Sequence, residues 1–139
     1  QYVSPLGSKE YIGENNIFDG RVSGLTGSGV EIDLGFAKFT VDAQGQTPRV
    51  SDMVSVSIRS ELVRVLGPGE APEALLQTVP ATYGEAVYLG LATSHVAKLA
   101  NGDNIVARHV SRGGTSDDFE AEAPLTYAWP RTQMRLHLS

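Results

Sequence analysis

A chain of 139 residues with 41% hydrophobic side chains can fill the core of one compact domain, or of two very small intertwined ones. Its net charge of −5, from 16 acidic against 11 basic residues with no two basic side chains adjacent, leaves no basic footprint for nucleic acid or anionic lipid. The absence of cysteine excludes disulfides, thiolate metal sites and thiol nucleophiles and suits a reducing cytoplasm, and no apolar run approaches the ~20 residues that span a bilayer.

The chain opens on Gln1 without an initiator Met or a secretory leader pattern, and reads as a fragment. Residues 1–17 read as a linker, broken by Pro5 and Gly7, with a turn expected at Asn15-Asn16. Strands follow. Residues 21–25 form the first, and Thr26-Gly27-Ser28-Gly29 the turn after it. Val30, Ile32 and Leu34 alternate with Glu31 and Asp33, the period of a strand with one buried face. Phe36, Phe39 and Val41 continue on a third strand, Val54, Val56 and Ile58 on a fourth, and residues 61–66 give a short fifth.

Residues 67–81 carry loop chemistry in Gly67-Pro68-Gly69 and Pro72, with a helical turn at most at 73–77, and read as a crossover. Beyond it residues 82–89, 95–99 and 104–110 read as strands, with Asn101-Gly102 a strong hairpin signal between the last two. Residues 112–118 form a polar loop, and two strands at 124–129 and 133–138 close the chain.

The order repeats. Arg21-Val22 after Gly20, the Val30–Leu34 strand and the Val54–Val65 stretch are echoed by Glu85-Ala86-Val87 after Gly84, by Val96–Leu99 and by Leu125–Leu136. Gly20 to Gly84 is 64 positions and Ile58 to Trp129 is 71, so the second copy carries about seven extra residues, assigned to the 112–118 loop. The expected fold class is all-β, a tandem of small OB-like β-barrel repeats (18–66 and 82–138) with very little helix.

Catalytic chemistry is missing from this pattern. Nothing matches the Gly-x-x-x-x-Gly-Lys-Ser/Thr phosphate loop, and Thr26–Gly29 precedes a strand rather than a helix. His95, His109 and His137 share no metal-ligand spacing; His95 and His109 can meet across strands, where a solvated or hydrogen-bonded role is the simpler reading. Asp117–Glu122 is an acidic run best read as an exposed loop. Trp129, at the repeat position of Ile58, reads as a core anchor, and Tyr83, Tyr88 and Tyr127 as strand residues filling the barrel.

Three stretches resemble the C-terminal regulatory domain of the ATP-binding subunits of ABC importers, the TOBE (transport-associated OB) module. Tyr11-Ile12-Gly13-Glu14-Asn15-Asn16 through Gly20 is similar to that family's "F-I-G-E-x-N-x-x-x-G", Val56–Glu61 to "x-x-I-R-P-E" with Ser60 in place of Pro, and Glu85–Gly90 to "x-x-V-Y-L-G". Gln1–Pro5 resembles the tail of the family's nucleotide-binding domain. The resemblance implies a non-catalytic regulatory and dimerisation domain, with residues 1–17 leading in from an ATPase half and residues 18–139 forming the TOBE domain. It further implies ATP and Mg²⁺ in that ATPase half and no cofactor in this segment. The implied partners are the subunit's own nucleotide-binding domain, a second copy of the subunit and the transmembrane permease, at the cytoplasmic face of the bacterial inner membrane. The motifs look most like polyamine (spermidine/putrescine) importers.

By the same resemblance Arg59 and Glu61 lie where subunits meet, and with Glu14 and Asn15 of the entry motif they are the candidate dimer or regulatory contacts. The alternative for Arg59 and Glu61 is a local ion pair. A second functional class, a free-standing OB-type module binding an oligonucleotide or a small anion, would need a basic groove or a set of Ser/Thr donors such as Thr26–Ser28 and Thr93-Ser94.

Overall fold

The computed structural model describes residues 15–27, 29–67, 76–110 and 119–138. Strands β1 (Asn15–Thr26), β2 (Gly29–Asp33), β3 (Lys38–Asp42), β4 (Met53–Arg59) and β5 (Arg64–Leu66) are followed by β6 (Leu76–Leu89), β7 (Ala92–Lys98), β8 (Asn104–Val110), β9 (Pro124–Pro130) and β10 (Arg135–Leu138). Two 3₁₀ turns, Ser60–Leu62 and Arg131–Gln133, are the helical elements among the described residues. The expected all-β class is what the chain adopts.

The strands form two antiparallel five-stranded sheets, ordered β10-β4-β1-β2-β3 and β5-β9-β6-β7-β8. Each order is the other's with the two sets of five interchanged. In each set the fifth strand leaves its own sheet and pairs with the fourth strand of the other: β5 lies on β9, and β10 on β4. The first strands also match. β1 pairs with β4 through Arg21 and with β2 beyond it, while β6 pairs with β9 through Thr82 and with β7 beyond it. A one-residue bulge follows Val22 in β1 and Tyr83 in β6, bending each long strand from one partner to the next.

Register gives the correspondence residue by residue. Val22 faces Ile32 as Tyr83 faces Ala97, an offset of 61 between copies in the first strand and 65 in the second. Ile58 and Trp129 stand opposite Asn16 and Gln77 and keep the offset of 71 read from the sequence. The Gly20–Gly84 equivalence does not survive, because Gly20 is three residues before its bulged residue, Ser23, and Gly84 is itself the bulged residue of β6. The second copy is therefore longer by ten residues rather than seven, and four of them lengthen the β6–β7 hairpin.

The alternation of β1 to β4 buries Phe18, Val22, Val30, Ile32, Phe39, Val41, Val54, Val56 and Ile58 on one face. Leu125, Tyr127 and Trp129 do the same from β9, and all join one hydrophobic cluster. The cluster has no division between sheets. Phe39 of β3 meets Phe18 edge-on at 5.6 Å and Trp129 of the other sheet edge-on at 5.1 Å, the geometry that aromatic quadrupoles favour.

Carboxamides also link the sheets. Asn16 in β1 accepts from Val106 N (2.8 Å) and donates to Val106 O (2.9 Å) in β8, acting as an extra ladder rung 90 residues away. Its counterpart Gln77 in β6 accepts from Thr40 N (2.8 Å) in β3. Asn15-Asn16 is thus strand and not turn, a correction that follows from where the amide finds its partners. β6 starts at Leu76, inside the stretch read as crossover. It accommodates Pro80 because at that point the strand has a single neighbour, β9, and the missing N–H is not needed on the open side.

Gly20 and Gly84 are both demanded by close approach. A Cβ on Gly20 would lie 2.6 Å from Ile32 Cγ2 and 2.9 Å from Asp33 O, and one on Gly84 would lie 2.9 Å from Val96 O. Gly20→Ala is expected to lower the stability by about 1–3 kcal/mol through overpacking, whereas Gly24→Ala, with nothing closer than 3.7 Å, should be nearly silent. Urea midpoints of the two variants check this; equal midpoints would contradict it.

Candidate functional site

Each sheet curls so that its outermost strands approach each other, β3 with β10 and β5 with β8. The first seam is sealed by two glutamines that follow β3. Gln44 Nε2 donates to Met134 O (2.7 Å) and Gln46 Nε2 to Leu136 O (2.8 Å). The second seam holds a cleft of about 500 Å³, lined on the β5 side by Glu61, Arg64 and Val65 and on the β8 side by Arg108 and His109, with His95 and Phe119 at its floor.

The side chains beneath the two seams differ in kind. Val22, Val30 and Val56 fill the first half, and the residues in their places in the second are Tyr83, His95 and Tyr127. His95 is buried, hydrogen-bonded through Nδ1 to the Tyr83 hydroxyl at 2.9 Å, and stacked on His109 with ring centres 4.9 Å apart. Phe119 packs edge-on against His95 at 5.4 Å. Arg108 Nε donates to Ser94 Oγ at 3.1 Å.

Tyr127 is fully buried and donates its hydroxyl to His95 O at 3.2 Å. Burial, and secondarily the neighbouring Tyr83, holds its phenol well above the ordinary value of about 10. The folded chain therefore keeps a proton that the unfolded chain releases above about pH 10, so stability falls as pH rises beyond that point. Urea midpoints between about pH 9 and pH 11 should decline in the parent chain and decline less in Tyr127→Phe; parallel slopes would contradict the assignment.

Three of the four residues singled out from the sequence come together. Asn15 stands opposite Arg59 across β1 and β4, and Arg59 Nε bonds Glu61 Oε1 at 2.6 Å with both side chains more than half exposed. That is the local ion pair, at a position that also borders the cleft. Glu14 lies outside the described residues, as do Asp117 and Asp118 of the acidic run. Trp129, Tyr83 and Tyr127 are core residues as read, but Tyr88, near the end of β6 opposite Thr93, is 69% exposed. Among the described residues no three or more His, Cys, Asp or Glu side chains are placed to hold a metal ion. No helix among them is long and apolar enough to cross a membrane.

The cleft was only partly legible. The sequence allows His95 and His109 to meet across strands, and they stack, but Arg64, Arg108 and Phe119 carry no motif. Only the exchange of β5 into the second sheet brings Arg64 beside β8.

A family model described as the TOBE domain matches residues 38–136. The chain belongs to the TOBE domain family. This TOBE domain is 32% identical over 100 residues to the spermidine/putrescine import ATP-binding protein PotA of Rubrobacter xylanophilus, a match covering 70% of the chain and 25% of that protein. It thus spans about a quarter of that relative's length. Among solved structures, the cytoplasmic molybdate-binding protein ModG in its molybdate-bound form matches with a TM-score of 0.77, covering 93% of this chain and 99% of that one. At 14% identity that likeness describes the fold the TOBE domain shares.

Proposed function

We propose that this TOBE domain is the regulatory and dimerisation domain of the ATP-binding subunit of an ABC-type importer, with polyamines of the spermidine/putrescine class as the transported solute. The observation that carries the reading is the 32% identity, over 100 residues, to a polyamine import ATP-binding protein. ATP and Mg²⁺ belong to a nucleotide-binding domain of the same polypeptide. This domain uses no cofactor, makes no contact with nucleic acid and does no chemistry. Its partners are that nucleotide-binding domain, a second copy of the subunit and the permease, which keeps the subunit at the cytoplasmic face of the inner membrane.

The mechanism is a bias on a conformational equilibrium. Contacts made by the domain in one arrangement of the two subunits and not in the other shift the cycle by their difference in free energy. Arg59, Glu61, Asn15 and Glu14 are the residues assigned to such contacts. Because the Arg59–Glu61 pair is exposed, Arg59→Ala with Glu61→Ala should cost well under about 1 kcal/mol of fold stability. In the full-length subunit the same double variant should change ATPase coupling or dimerisation; unchanged ATPase and transport would end this assignment.

A second reading, a small-anion module, is favoured by one observation, the two arginines and two histidines that line the cleft.

A further inference from the structure

The two halves repeat in strand order and bulge position, so a place where they differ in chemistry needs its own explanation. At the first seam, Gln44 and Gln46 donate to Met134 O and Leu136 O and Gln44 accepts from Leu136 N, tying the chain after β3 to β10 and the residue before it over Val22, Val30 and Val56. At the second seam the position matching Gln44 is Val110, whose side chain can offer no such bond, and a cleft lies over a ring-lined interior.

The charge is as unusual as the shape. On a chain of net charge −5, the described residues that line the cleft include the basic Arg64 and Arg108 and the acidic Glu61, which is held at 2.6 Å by Arg59. The arginines come from strands on opposite sides of the seam. β8 is an edge strand, and the backbone groups of Val106 point from its open edge to Asn16. By the two-residue alternation of an antiparallel strand, the N–H of Arg108 faces the same edge. His109 and Phe119 supply the flat faces.

We propose that this cleft binds a small organic acid with a planar body, its carboxylate held by Arg64 and Arg108 and its ring plane laid against His109 and Phe119. Guanidinium groups meet carboxylates through paired, charge-assisted N–H···O bonds, and aromatic and imidazole faces favour a flat partner over a bulky one. A polyamine is repelled by the same lining. The ligand bridges β5 and β8, completing the seam as the glutamines complete the other, and in doing so ties the fifth strand of one copy to the third strand of the other. This assignment does not depend on what the parent polypeptide transports.

The test is titration of the 139-residue chain, followed by amide chemical shifts, with benzoate, cyclohexanecarboxylate, inorganic phosphate and spermidine as probes. Benzoate should bind saturably, with shifts concentrated at Arg64, Arg108, His109 and Phe119, and more tightly than cyclohexanecarboxylate or phosphate. Arg108→Gln should weaken benzoate about tenfold or more, the loss expected for a charge-assisted hydrogen bond. Arg64→Gln, at an exposed position of β5, should do the same, while Lys98→Gln outside the cleft should not. No saturable benzoate shift, shifts scattered over the surface, equal binding of phosphate, or spermidine shifting the cleft residues would each overturn the proposal. So would Arg64→Gln and Lys98→Gln weakening benzoate equally.

Discussion

Trp129→Ala is expected to remove about 3–5 kcal/mol of stability, a large part of the roughly 5–15 kcal/mol that a domain of this size possesses. Trp129 is fully buried, and its edge-on contact with Phe39 joins the two sheets, so no single hairpin can relax to fill the space. Trp129→Phe separates filling from any polar role. Trp129 Nε1 makes no hydrogen bond among the described residues, so phenylalanine forfeits volume and nothing else, at a cost of about 1–2 kcal/mol. Urea unfolding followed by far-ultraviolet circular dichroism measures both. A phenylalanine variant as unstable as the alanine one would show that the indole N–H matters and the account of it as a core anchor is incomplete.

The second large effect is expected at Asn16. Asn16→Ala leaves Val106 N–H and C=O without the partners that bind them at 2.8 and 2.9 Å, both in buried surroundings. Buried polar groups so abandoned cost about 1–3 kcal/mol each, which sets the loss at about 2–4 kcal/mol when water reaches one of them. Asn15→Ala, one residue away on the exposed face, should stay within about 0.5 kcal/mol. Hydrogen exchange at the Val106 amide gives a direct readout: it should accelerate in the Asn16 variant more than at Ile105 or Ala107. Uniform acceleration along β8 would mean that Asn16 acts only through global stability.

Much of this fold lies on the surface of the sequence. Val30, Ile32 and Leu34, or Val54, Val56 and Ile58, can bury one face only as strands, and Asn101-Gly102 does lie in the β7–β8 hairpin, where Gly102, with φ of +93°, closes a turn onto Leu99 O. Repetition indicated that the same succession of strands occurs twice along the chain, but not that the fifth strands exchange between sheets. The misreadings have physical causes. Asn15-Asn16 has turn chemistry because asparagine bonds its own backbone readily. Here the amide of Asn16 instead reaches a strand 90 residues distant, a partner that no local pattern reports. Gly67-Pro68-Gly69 and Pro72 extended the expected crossover over the start of β6, a strand that tolerates Pro80 by having one neighbour there. The strand expected over 61–66 begins at Arg64, since Ser60–Leu62 turns to carry the chain to the other sheet. The cleft was the least legible feature. It is assembled from Arg64 and Arg108, 44 positions apart, and exists only because the fifth strands change places.

The exchange also ties the two halves of the domain together. Since β5 completes the second sheet and β10 the first, neither half can open without loosening the other. Under the proposed function, a partner's contact at Arg59 or Glu61 would therefore be felt across the whole domain.

The most direct test of the functional account is to sequence the reading frame upstream of Gln1. The account predicts a nucleotide-binding domain carrying Gly-x-x-x-x-Gly-Lys-Ser/Thr and an ABC signature, joined to this domain in one polypeptide. A stop codon or an unrelated domain in that place would contradict it.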